Sequence, residues 1–146
     1  MEAEDITLLA LTAWRENRGG GTAGMQSIIN VVRNRAWKRD TTPYEECVRP
    51  LQFSSLTAKG DPELSLWPNS TDLQWQTAKA LAEQAAAGAL EDLTRGATLY
   101  YNPAGIVSRS KFAVPGGAVV AWPEGWDQSK VRYVGTIARH LFFVEL

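Results

Sequence analysis

The chain has 146 residues, 45% of them hydrophobic and 21% charged, with a formal net charge of −1. That length supports one hydrophobic core, and the near balance of charge argues against the broad basic surface on which nucleic-acid binding depends. One cysteine, Cys47, excludes an internal disulfide, and one histidine, His140, argues against zinc chemistry, whose sites gather several His or Cys ligands. No stretch approaches the roughly 20 apolar residues that span a bilayer, and the acidic start Met1-Glu2-Ala3-Glu4-Asp5 has no signal-peptide pattern. The expectation is one monomeric domain over residues 1–146, with no cofactor, no metal, no nucleic-acid partner and no membrane insertion.

Ala3 to Arg18 reads as a helix, with Ile6, Leu9, Ala10 and Ala13 at helical spacing and a stop at Gly19-Gly20-Gly21. A second helix is predicted from about Thr22 to Trp37, with Met25, Ile28, Ile29, Val32 and Ala36 on one face. Thr42-Pro43-Tyr44-Glu45 supplies an N-cap, a proline at the first helical position and a glutamate at the third, so a short helix should run to before Pro50. Leu51 to Asn69, broken by Gly60, Pro62 and Pro68, reads as an irregular loop of the length that usually carries function. Thr71-Asp72-Leu73-Gln74 then opens a helix that extends to Gly88.

After Gly96 the pattern changes. Ala97 to Tyr101 is a strand candidate ending at Asn102-Pro103, and Val131 to Val144 suggests a terminal strand pair that sends Phe142 and Phe143 into the core. The fold class is therefore α+β, mainly helical, with a small β element in the C-terminal half. Six tryptophans and four tyrosines are many for this length. Aromatic faces suit sugar C–H groups, although most tryptophans are expected in the core.

Glycosidic bond cleavage needs a proton on the leaving oxygen, and an un-ionised carboxyl group in a partly desolvated pocket supplies it. Glu16 lies in the last turn of the first helix, before a glycine run and near Trp14, and is the candidate for that role. Arg15 and Arg18 would lower its pKa if they faced it, but successive helical side chains diverge by about 100°.

Trp14-Arg15-Glu16-Asn17-Arg18-Gly19, followed by the Met25–Arg35 helix ending in Asn34-Arg35, resembles the opening of the bacterial and phage cell wall hydrolases related to spore cortex-lytic enzymes, the SleB type. Leu51-Gln52-Phe53-Ser54, Leu99-Tyr100-Tyr101-Asn102-Pro103 and Ile137 to Phe142 resemble three further family segments in the same order. The resemblance spans nearly the whole chain. It implies a lysozyme-related fold, cleavage of the bond between N-acetylmuramic acid and N-acetylglucosamine in peptidoglycan glycan strands, and Glu16 at the catalytic position.

Three departures stand out. Asn17 replaces the usual alanine, Gly20 stands where a second glutamate commonly follows the glycine, and Arg139 precedes His140 in place of a glycine-containing turn. With no second acid near Glu16 in sequence, a lytic transglycosylase is favoured over a hydrolytic muramidase, because one carboxyl group suffices when the muramic C6 hydroxyl closes an anhydro ring. Asp61, Glu63 and Asp72 are the distant acids that folding could bring into the cleft.

Gln52, Phe53, Ser54, Tyr101 and Asn102 are the expected substrate-binding residues, with only one of Tyr100 and Tyr101 able to face the cleft because strand residues alternate. His140 is expected to satisfy a buried hydrogen bond in support of the site. A bare catalytic domain of this kind suits a phage endolysin, held in the host cytoplasm until released to the wall. Two rivals are a papain-like amidase using Cys47 and His140, disfavoured by Glu45 and Glu46 beside the thiol, and a non-catalytic glycan-binding module with no need of Glu16.

Overall fold

The computed structural model describes residues 1–49 and 52–146; Pro50, Leu51 and the side chain of Ser54 lie outside the description. Helix α1 spans Ala3–Asn17, and Arg18–Gly20 continue as a 3-10 turn before α2 begins at Gly21 and runs to Arg39. The glycine run thus stops α1 but does not form an open loop. Gly21, at φ 71°, turns the chain between the two helices.

Helix α3, Pro43–Val48, starts as its sequence dictates: the Thr42 hydroxyl accepts the Glu45 amide at 3.1 Å. Such a cap contributes about 1 kcal/mol. The segment expected to be irregular holds a single helical turn, α4 (Ser54–Thr57), and a 3-10 turn at Pro62–Ser65. Helix α5, Leu73–Ala86, is capped by Asp72 and not by Thr71, the Asp72 carboxylate accepting the amides of Gln74 and Trp75.

Helices α1, α2, α3 and α5 enclose the main core of Leu9, Ala13, Met25, Ile28, Ile29, Cys47 and Leu81. Burying a side chain such as Leu, Ile or Met stabilises by about 1.5–3 kcal/mol. The spacing identified in α2 is buried, and burial extends beyond it to Ser27, Asn30, Val31 and Arg35, because the sheet packs against α2 as well, with Val31 on Phe142.

The β region comprises β1 (Leu99–Tyr101), β2 (Lys111–Ala113), β3 (Val119–Ala121), β4 (Val131–Ile137) and β5 (His140–Glu145). Strands β1, β5 and β4 form one antiparallel sheet in that order, and β2 and β3 form a separate hairpin. That hairpin goes beyond the elements expected from the sequence, though Pro115-Gly116-Gly117 between two short apolar runs is a turn signal. It closes over one face of the sheet, where Tyr101, Trp122, Leu141 and Phe143 form a second core with Phe112, Trp126 and Tyr133 packed against it.

No helix among the described residues is long and apolar enough to cross a membrane.

Candidate active site

The end of α1, the 3-10 turn after it, Glu63, Asn102 and the β4–β5 hairpin tip enclose a cleft of about 670 Å³. Glu16 lies in its wall and is half-buried. The hydroxyl of Tyr100, on β1, donates a 3.0 Å hydrogen bond to Glu16 Oε1. The buried hydroxyl of Ser55, on α4, lies near the same carboxyl group without a hydrogen bond of normal geometry.

Burial pushes the Glu16 carboxyl above the usual carboxylate range. Ser55 and Tyr100 act the other way by favouring the ionised form, while the negative charges of Asp61 and Glu63 add to the upward shift. The Tyr100 hydroxyl is pushed well above its ordinary value, first by burial and then by the Glu16 charge, so it remains a proton-bearing donor.

The flanking arginines leave Glu16 alone. Arg15 is buried and turns into the long loop, donating to the carbonyls of Ser55 (3.0 Å), Leu64 (3.3 Å) and Leu66 (2.9 and 3.1 Å). Arg18 stacks its guanidinium 4.2 Å from the Trp14 ring centre and forms a two-pronged ion pair with Glu63. Trp14, expected beside Glu16, is therefore engaged with Arg18, and its indole N–H donates to Asp72 at 3.2 Å. Of the distant acids, Glu63 lines the cleft, Asp61 is close enough to act on Glu16, and Asp72 is used in capping.

His140 and Asn102 also line the cleft. The Asn102 side-chain carbonyl accepts the Ala104 amide at 3.0 Å, so its side-chain NH₂ is the group left to donate. His140 stacks edge-on to Tyr100 at 5.1 Å, and burial lowers its pKa, so it is neutral near pH 7. Its Nδ1 lies 3.3 Å from the Ala138 carbonyl and 3.4 Å from Asn17 Nδ2. The first contact needs a proton on that nitrogen and the second needs a lone pair, so the ring makes one at a time.

Asn17 also explains the missing second acid. A Cβ on Gly20 would lie 2.6 Å from Asn17 Oδ1, and one on Gly24 would lie 2.8 Å from Nδ2. The amide at 17 fills the space that a side chain at 20 needs. Two departures from the family pattern are therefore one packing solution.

Several expected contacts fall elsewhere. Phe53 is fully buried in the main core, with the Arg35 guanidinium 5.4 Å from its ring centre. The Gln-Phe-Ser and Asn-Arg motifs thus meet behind the site. Tyr101 is not in the cleft either; it lies in the second core and donates to the Ala121 carbonyl at 2.8 Å. Gln52 is half-buried and does not line the cleft. The side chain of Ser54 lies outside the described residues, whereas its neighbour Ser55 is beside Glu16.

Of the two tyrosines that strand alternation separates, the sequence reading favours Tyr101, but it is Tyr100 that reaches Glu16. Residues two apart on a strand share a side, so Asn102 in the cleft implies Tyr100 and excludes Tyr101. Cys47 lies in the main core, its thiol pushed up to about 12 by burial, and accepts the Thr12 hydroxyl at 3.3 Å. A thiol so held is no nucleophile, which removes the papain-like reading.

No curated protein sequence matches the chain. Among solved structures, the catalytic domain of the germination-specific lytic transglycosylase SleB from Bacillus anthracis matches with a TM-score of 0.66 at 23% identity, covering 97% of this chain and 95% of that one. The two share the α+β fold. A family model described as cell wall hydrolase matches residues 19–143, beginning three residues after Glu16. The chain belongs to the cell wall hydrolase family.

Proposed function

We propose that the chain is a lytic transglycosylase that cuts peptidoglycan glycan strands between N-acetylmuramic acid and N-acetylglucosamine, with Glu16 as its acid and then its base. The observation that carries this reading is a half-buried carboxyl group of raised pKa in an open cleft, with one oxygen held by Tyr100. The hydrogen bond to Oε1 leaves the proton on Oε2, free to pass to the glycosidic oxygen as the C1–O bond breaks. The Glu16 carboxylate then takes the proton of the muramic C6 hydroxyl while O6 bonds to C1. Atoms and protons balance without water, and Glu16 ends in its starting state.

Glu63 is the acid nearest to serving as a second carboxylate, but its two oxygens are held by the Arg18 guanidinium. The SleB domain is itself a lytic transglycosylase, which agrees with a one-carboxylate mechanism. Asn102 and His140, which line the cleft, are available to sugar substituents.

Mass spectrometry of products from purified peptidoglycan tests the reading. Muropeptides should end in 1,6-anhydromuramic acid, roughly 18 mass units below the hydrolytic product, and should resist borohydride reduction. Reducible products would instead make the chain a hydrolytic muramidase, with Glu63 released from Arg18 to position water. Free peptides with intact glycan would defeat both.

A further inference from the structure

The β4–β5 hairpin turns through Ala138 and Arg139, flanked by the Ile137–His140 pair. Both turn residues have positive φ, 45° and 73°. A two-residue turn of this hand favours Asn-Gly or Gly-Gly, because a side chain at positive φ meets its own backbone. Strain of this kind persists where the surroundings or the function require it.

Ala138 has surroundings that account for it: its methyl sits against the bare face of α2, where a Cβ on Gly24 would lie 3.4 Å away. Arg139 has none. It is exposed, lines the cleft, and forms no ion pair or hydrogen bond with the described residues. The other two cleft arginines have their donors taken, Arg15 by three carbonyl groups and Arg18 by Glu63. Among the described residues, Arg139 is the cleft arginine whose guanidinium has no protein partner, in the same cleft as Glu16.

We propose that Arg139 is a carboxylate-recognition residue of this cleft, binding the negative charge on the muramoyl side of the strand; this rests on the glycan-cleaving reading above. N-acetylmuramic acid carries an O3-lactyl group whose carboxyl is either amide-linked to a peptide stem, itself ending in carboxylate, or free on a stripped strand. N-acetylglucosamine has no such charge. A planar guanidinium fits a carboxylate with two parallel hydrogen bonds. The residue therefore fixes which way round the strand enters the cleft.

The experiment compares the wild-type chain with Arg139→Gln and Arg139→Gly on soluble glycan strands. The strands carry peptide stems, or are amidase-stripped to free lactyl carboxylates, or are either kind with carboxylates converted to amides. Arg139→Gln should raise KM about tenfold on at least one charged strand, with the loss on KM and not on kcat. Amidating that strand should raise the wild-type KM equally and leave the variant unaffected. An effect confined to stem-bearing strands assigns the stem carboxylate, and one confined to stripped strands assigns the lactyl group.

Arg139→Gly should share the KM defect while keeping or raising Tm by about 2–4 °C, since glycine relieves the positive φ. Unchanged KM on both charged strands, a defect that persists on amidated strands, or a lowered Tm in Arg139→Gly would each overturn the proposal. Salt-sensitive co-sedimentation with intact sacculi separates the two readings. If the wild type cuts no glycan, the transglycosylase reading fails; equal sedimentation of wild type and Arg139→Gln then overturns this one too, and weaker sedimentation of the variant sustains it.

Discussion

Tyr100 and Tyr101 are adjacent, chemically identical and on the same three-residue strand, yet they belong to different parts of the molecule. Tyr101 faces the β2–β3 hairpin, packed among Trp122, Trp126 and Phe143 with its hydroxyl on a main-chain carbonyl. Tyr100 faces the helices, stacked between His140 and Phe142 with its hydroxyl on Glu16. One side of the sheet is an aromatic core, and the other packs Phe142 against Val31 of α2 and brings the Tyr100 hydroxyl to Glu16. The sheet's pleat, and not residue type, separates structural from functional side chains.

The largest expected effect belongs to the group that Tyr100 holds. Glu16→Gln should fold and lose about 10²–10⁴-fold in glycan cleavage; a folded variant with near-normal activity would refute the assignment. Because burial raises the Glu16 pKa in the folded chain, its ionisation costs stability as pH rises from the unfolded pKa through the folded one. Glutamine never ionises. The variant should therefore gain more in Tm over wild type at about pH 8 than at about pH 4.

Tyr100→Phe comes next. It removes a hydrogen bond to a charged group and should lower kcat roughly tenfold. That bond holds the Glu16 pKa down, so its loss lets the pKa climb further. Activity needs the protonated acid and falls as pH rises through this pKa, so the falling limb of the pH–rate profile should move to higher pH in the variant. An unmoved limb would detach Tyr100 from Glu16.

Tyr101→Phe should do the reverse, leaving the pH profile in place and costing about 0.5–1.5 kcal/mol of stability by denaturant titration, through loss of the bond to Ala121. If instead it changes the profile, the two faces are not independent. Cys47→Ala should have the smallest effect on turnover, with kcat within about twofold and a loss of stability from the core of about 1 kcal/mol. A folded but inactive Cys47→Ala would reopen the thiol mechanism.

Much of the helical body is legible in the sequence because its cues are local. Thr42 and Pro43 start α3 by satisfying and omitting amides of the first turn, and the apolar spacing of α2 is buried. The position of Glu16 at the end of α1 is readable as well, and the resemblance of the Trp14–Gly19 motif to the cell wall hydrolases singled it out. The contact residues are harder because their roles depend on elements far apart in the chain. Phe53 reads as a sugar platform until Arg35 and the helices close over it, and Ser55, not singled out in the sequence, acts on Glu16.

The sequence by itself determined the α+β class, the order of elements and the absence of an internal disulfide, because composition, periodicity and capping act over a few residues, and the family resemblance of its motifs pointed to Glu16. Only the tertiary structure decided what surrounds that carboxyl group. Tyr100 reaches it from 84 residues away, and Arg18 is drawn off by Glu63, 45 residues on. The raised pKa, the neutral His140 and the bare Arg139 are consequences of burial and pairing between distant segments. Such terms have no value until the chain is folded.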